Sequence, residues 1–103
     1  MKKYSIIIPT YNEKDNIELS VREISENIKD LDYEIIFVDD GNDGTDKVIE
    51  KLSKKDKHII LKHRTDKKGL SSAVIDGIDI ASSDIITVMD ADLQHPTYLL
   101  KDM

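Results

Sequence analysis

Tyr33-Glu34-Ile35-Ile36-Phe37-Val38-Asp39-Asp40-Gly41 decides how this chain folds. The apolar run is continuous rather than alternating, so it reads as a strand buried on both faces. It breaks off at two adjacent carboxylates and a glycine. Toward the amino terminus, Tyr4-Ser5-Ile6-Ile7-Ile8-Pro9 repeats the pattern and ends in Thr10-Tyr11-Asn12. Between these strands Ile17, Val21, Ile24 and Ile28 recur at spacings of four, three and four, one face of a helix. Asn12 is placed to cap it, with Glu13 and Asp15 near its positive end. Toward the carboxyl terminus a second helix follows, capped by Thr45 or Asp43 and facing inward with Val48, Ile49 and Leu52. His58-Ile59-Ile60-Leu61-Lys62 is a third strand. Gly69 opens a helix carrying Leu70, Ala73, Val74, Ile78 and Ala81. Asp84-Ile85-Ile86-Thr87-Val88-Met89 is a fourth strand, and Pro96 suits the first turn of a helix over 97–103. The expected fold is α/β: a doubly wound, mostly parallel sheet with right-handed crossovers and strand order 3-2-1-4.

Composition narrows the function. The 103 residues carry 15 Lys+Arg against 21 Asp+Glu, a net charge of −6, which argues against nucleic acid as a partner. No cysteine is present, which removes disulfides, thiolate-held zinc and thiol catalysis. With 39% hydrophobic residues the chain has material for one core, and its length suits one domain. No stretch reaches the length of a membrane span, and the start lacks the apolar region of a secretion signal, so the sequence reads as soluble and cytoplasmic. The charged run over 51–57 reads as a solvated helix end and loop.

Ligands of open parallel sheets bind beyond the carboxyl ends of the strands. Three of the four expected strands end there in polar clusters: 9–13, 39–45 and 90–96. Asp90 and Asp92, with Gln94 two residues on, offer oxygen ligands to a hard cation, Mg²⁺ or Mn²⁺. Asp39 and Asp40 need a cation or donors nearby. Asp39 suits a turn, with Gly41 and Gly44 supplying permissive dihedrals, while Asp40 faces a nucleobase or ribose. Tyr11 either lines that pocket or covers the sheet edge. His95 either acts as a base or orients its loop. Arg64 either reaches a diphosphate or is an ordinary solvated loop residue. His58 and His63 show no partners at metal spacing and read as structural.

Ile8-Pro9-Thr10-Tyr11-Asn12-Glu13, Val38-Asp39-Asp40-Gly41, Gly69-Leu70-Ser71-Ser72-Ala73-Val74 and Met89-Asp90-Ala91-Asp92-Leu93-Gln94-His95-Pro96 together resemble the amino-terminal half of a family 2 glycosyltransferase. The fold so implied is the Rossmann-like nucleotide-binding half of GT-A. The last two segments resemble the dolichol-phosphate (polyprenyl-phosphate) mannosyltransferases. The resemblance implies that Pro9, Tyr11, Glu13, Val38, Asp40, Asp90, Ala91 and Asp92 hold the sugar nucleotide. It implies that Asp90, Asp92 and Gln94 hold the metal, Asp92 being the residue assigned to catalysis. The implied reaction is metal-dependent, inverting transfer of mannose from GDP-mannose to a polyprenyl or dolichyl phosphate.

Two departures qualify it. The family pattern D-D-x-S-x-D-x-T is one residue shorter here, Asp39-Asp40-Gly41-Asn42-Asp43-Gly44-Thr45, and lacks the serine. Members also have a carboxyl-terminal acceptor half, so residues 1–103 correspond to the nucleotide-sugar-binding half alone. The expected consequence is an exposed apolar edge at the fourth strand, open to self-association or a partner chain. Attachment at the cytoplasmic membrane face would come through a partner or a segment outside these residues. A rival reading is a non-catalytic nucleotide-binding half or remnant that needs a partner chain. A signalling receiver or a haloacid-dehalogenase-like phosphatase would need its acidic cluster after the first strand. Pro9 to Glu13 stand there instead.

Overall fold

The computed structural model describes residues 3–10, 15–28, 30–41, 44–64, 70–83 and 85–89. In chain order they form β1 (Lys3–Thr10), α1 (Ile17–Ile28), β2 (Asp32–Asp39), α2 (Thr45–Lys55), β3 (Ile59–His63), α3 (Leu70–Ile80) and β4 (Ile85–Val88). The four strands make one sheet in the order β3-β2-β1-β4, every pair parallel, as the sequence predicts. The helix expected over 97–103 lies outside the described residues.

Strand alternation sorts the apolar side chains between the two faces. Ile6 and Ile8 of β1, Ile35 and Phe37 of β2 and Ile59 of β3 share one core with Ile17, Ile24 and Ile28 of α1 and Ile49 of α2. Ile7, Ile36 and Val38 point the other way, onto Ala73 of α3. Helices α1 and α2 therefore cover one face and α3 the other.

The expected inward face of α1 holds, and in α2 Val48 and Leu52 pack beside Ile49 as expected. The α2 cap differs. Gly44 occupies it at φ 101° without a side-chain cap bond, and Thr45 is already helical and fully buried. Glycine adopts that left-handed φ without strain. Asp43 lies outside the described residues.

On α3 the sheet-facing row is Ala73 and Gly77, continued by Ala81 just past its end, at helical i, i+4 spacing. Gly77 lies so close to β1 that a Cβ there would sit 2.6 Å from Ile7 Cγ2. Ile78 is 44% exposed, because it lies about 100° round the helix from Gly77. The expectation that every strand is buried on both faces holds for β1 and β2 only. On the side covered by α3, Ile86 and Val88 of β4 are exposed, since among the described residues α3 packs on β1 and β2.

At the amino ends of the strands Glu34, 6% exposed, gathers a polar cluster on the α3 side. Ser5 Oγ donates to its Oε2 at 2.5 Å and the Ser82 amide at 3.0 Å, with Lys3 Nζ 3.8 Å from Oε1. Burial pushes the Glu34 carboxyl up, but the Ser5 hydroxyl, the Ser82 amide, Lys3 and the Ser82 hydroxyl together outweigh it and leave the pKa below its ordinary 4.5. A lowered folded-state pKa gives stability that is present above 4.5 and lost as pH falls through the folded value. Glu34→Gln is expected to cost about 1–3 kcal/mol at neutral pH. It should also flatten the acid limb of a urea-midpoint-against-pH curve; an unchanged acid limb would refute the assignment.

Candidate nucleotide site at the carboxyl edge

Three strands bring their carboxyl ends into one row. Thr10 pairs with Asp39 and Asp39 with His63 in the sheet register. The ladder continues one residue further, where the Asp40 amide donates to Thr10 O at 3.0 Å and the Arg64 amide to Asp39 O at 2.9 Å. Because side chains alternate, the two adjacent aspartates leave the sheet on opposite faces. This separation resolves the crowding that the sequence suggests, since each carboxylate finds its own donors.

Asp40 turns to the α3 side. Arg64 grips it with two parallel bonds, Nε to Oδ1 and Nη2 to Oδ2, each 2.6 Å. The other guanidinium nitrogen, Nη1, donates to Ser72 Oγ at 2.5 Å and Asp76 Oδ2 at 3.0 Å, one helical turn apart on α3. Arg64 is only 4% exposed, which corrects its reading as an ordinary solvated loop residue. Hydrogen bonding to Asp40 is the foremost reason that its pKa is raised further, against the effect of burial. Charged and planar, it fixes the Asp40 carboxylate in orientation. Each Asp40 oxygen retains a second lone pair with which to accept from a ligand N–H or hydroxyl.

Asp39 turns to the α1/α2 side and is fully buried. Its Oδ1 accepts from Thr10 Oγ1 at 2.7 Å and from the Gly41 amide at 3.3 Å, the turn role expected of it. Burial is the main reason that its pKa is raised, with the nearby Asp46 carboxylate adding to it. The Thr10 hydroxyl, the Gly41 amide and His63 oppose the rise. His63 has acidic neighbours that its spacing in the sequence did not show. Its Nε2 lies 3.6 Å from Asp39 Oδ2 and its Nδ1 3.9 Å from Asp46 Oδ2. His58, by contrast, stacks on Tyr33 at 4.1 Å between ring centroids and pairs with Asp56, a packing role.

Of the other expected nucleotide contacts, Pro9 is half-buried at the end of β1, and the Val38 side chain is part of the core with Ile7, Ile36 and Ala73. Tyr11, Glu13, Asp90, Ala91, Asp92, Gln94 and His95 lie outside the described residues. The Met89 amide, immediately before Asp90, bonds to Ile7 O at 3.0 Å, tying the approach to that segment to β1. Sequence reasoning missed Asp46, Ser72 and Asp76. The i, i+4 spacing of Ser72 and Asp76 was a usable signal for a shared partner.

A parallel sheet in the order 3-2-1-4, with fixed carboxylates at its carboxyl edge, defines an open α/β domain of the doubly wound class, whose ligands bind at that edge. Residues 5–103 match the domain model of Glycosyl transferase family 2, and the chain belongs to that family. A dolichol-phosphate mannosyltransferase of Pyrococcus furiosus is 50% identical over 95 residues, 91% of this chain and 27% of that protein. One of Saccharomyces cerevisiae is 39% identical over 98 residues, 91% of this chain and 37% of that protein. The chain thus spans between 27% and 37% of the length of these relatives. Among solved structures, glucosyl-3-phosphoglycerate synthase from Mycobacterium tuberculosis, in complex with Mn²⁺, UDP and phosphoglyceric acid, superposes with a TM-score of 0.75. It is 22% identical, over 96% of this chain and 37% of that one. TarS residues 1–349 of S. aureus, in complex with UDP-GlcNAc, give 0.73 at 27% identity, over 97% of this chain and 29% of that one. The GT-A fold is thereby established.

Proposed function

We propose that residues 1–103 form the nucleotide-sugar-binding half of a glycosyltransferase that moves a hexose, mannose from GDP-mannose, to a polyprenyl or dolichyl phosphate. The observation carrying this reading is the 50% identity to a protein named dolichol-phosphate mannosyltransferase. In this reading Asp40, held by Arg64, accepts from the base or ribose, and Pro9, Tyr11, Glu13 and Val38 surround the nucleoside. Asp90, Ala91 and Asp92 meet the diphosphate, and acceptor contacts come from outside residues 1–103.

The acceptor phosphate oxygen is already anionic, so it attacks the anomeric carbon without a general base. The bond to the nucleoside diphosphate breaks on the opposite face and the configuration inverts. Asp90, Asp92 and Gln94 are an all-oxygen donor set that suits Mg²⁺ or Mn²⁺, and Met89 is anchored at the edge where a diphosphate would lie. Such a cation supplies charge stabilisation to the departing diphosphate. The work would take place in the cytoplasm, at the membrane face. Among the described residues no helix is long and apolar enough to cross a membrane.

Calorimetric titration of GDP and then UDP, with and without Mn²⁺, tests the donor site. Mn²⁺-dependent GDP binding that Asp92→Ala abolishes is the expected result. A folded chain that binds neither nucleotide would overturn the reading.

A second reading has an observation of its own: Ile86 and Val88 stand 39% and 46% exposed on β4, which ends the described sheet. A nucleotide-binding half that works only with a partner chain, or with a second copy, would cover them. Nucleotide binding with concentration-dependent association in sedimentation would favour it; a monomer at all concentrations would count against self-association.

A further inference from the structure

The cluster on the α1/α2 side of the edge, at Asp39, Asp46 and His63, is made of other residues than the expected metal ligands at 90–94. One donor atom from each of the three residues lies within 4.8 Å of the other two. Three features make this more than a group of acids. Asp39 is 0% exposed, and its Oδ2 has no hydrogen-bond partner although it is buried. An orphaned carboxylate oxygen at such depth demands a cation or a donor. The other oxygen of the same group is fixed by Thr10 Oγ1 and the Gly41 amide. That orients the carboxylate from behind, as outer-shell bonds orient metal ligands. Finally, among the described residues the polar contacts of His63 are all with acceptors: Asp39 Oδ2, Asp46 Oδ2 and the carbonyl oxygen of Gly41, 3.3 Å from Nε2.

We propose that Asp39, Asp46 and His63 bind one divalent transition-metal ion of the Zn²⁺ class, clamping the first turn of α2 to the ends of β2 and β3. One imidazole nitrogen and two carboxylate oxygens favour such an ion over Mg²⁺ or Ca²⁺, which prefer oxygen alone. The 3.6 Å between Asp39 Oδ2 and His63 Nε2 fits two bonds of about 2.0–2.2 Å meeting near the tetrahedral angle. Asp46 stands on the first turn of α2 with its side chain 22% exposed, so rotation about its own bonds can bring an oxygen in. Water completes the shell. The clamp neutralises Asp39 and fixes the backbone beside Asp40 without taking part in transfer.

The proposal does not depend on the proposed activity, and its test separates the two. Zn²⁺ is titrated into the full chain against a chromophoric chelator, and Co²⁺ absorption reports the coordination geometry. The expected result is one Zn²⁺ per chain at micromolar affinity, with intense tetrahedral Co²⁺ bands. Both should be unchanged in Asp92→Asn, which disables the expected diphosphate metal site. His63→Gln and Asp46→Asn, each verified as folded by circular dichroism, should weaken binding at least about tenfold. Failure of the folded wild-type chain to bind Zn²⁺ would overturn the proposal. Binding that survives both substitutions, or that Asp92→Asn removes, would overturn it equally.

Discussion

Arg64→Ala should be among the most damaging single changes in this chain, costing about 3–5 kcal/mol, because it leaves the buried Asp40 carboxylate without its counter-charge. Asp40 would lose both of its 2.6 Å bonds, and Asp76 its 3.0 Å bond, in one substitution. A domain of this size is stable by only about 5–15 kcal/mol, so a large share of the folding free energy would go. Urea denaturation followed by circular dichroism measures it. Arg64→Lys should recover only part, since an ammonium cannot reproduce the two-pronged contact. Asp40→Ala combined with Arg64→Ala should cost clearly less than the sum of the single changes. A loss below about 1 kcal/mol for Arg64→Ala would show that the pair is solvated and that Asp40 owes its orientation to something else.

Phe37→Ala is expected to cost about 3–5 kcal/mol through a different mechanism, the opening of a cavity. Phe37 is fully buried in β2, between Ile8 of β1 and Leu61 of β3 in the register, under α1 and α2. Most of the core it shares is β-branched isoleucine, and β1 and β2 are each held by strands on both sides, so the surroundings cannot collapse into the space. Thermal unfolding should show a large fall in midpoint, whereas Ile86→Ala on exposed β4 should stay within about 0.5 kcal/mol of wild type. Equal effects at the two positions would contradict the assignment of the core. Phe37 stands two residues before Asp39, so the same packing that stabilises the fold also sets the position of the carboxyl edge.

The element order, the strand order and the family were all legible in the residues. Continuous runs such as 35–38 can satisfy their apolar surface only when covered from both sides, and that requirement alone implies a parallel sheet between helices. The inward face of α1 followed from its spacing in the same way. Local patterns failed where two faces competed. Ile78 is as apolar as Ile24, yet the nearness of Gly77 to Ile7 sets the rotation of α3 and turns Ile78 outward. At the start of α2 the chain turns through the left-handed Gly44, so the cap that side-chain preferences assign to Thr45 or Asp43 is displaced.

The sequence by itself determined that carboxylates would end β2 and β4 and that the chain belongs with the family 2 glycosyltransferases, because strand periodicity and short motifs are local properties of the chain. Only the tertiary structure decided what those carboxylates of β2 meet. Alternation sends Asp39 and Asp40 to opposite faces, where one finds Thr10, His63 and Asp46 and the other finds Arg64. These partners stand up to 29 residues away in the sequence, and no local preference encodes which of them a side chain will reach. Their pairing is fixed by strand register and by the packing of α2 and α3, which exist only once the sheet has formed.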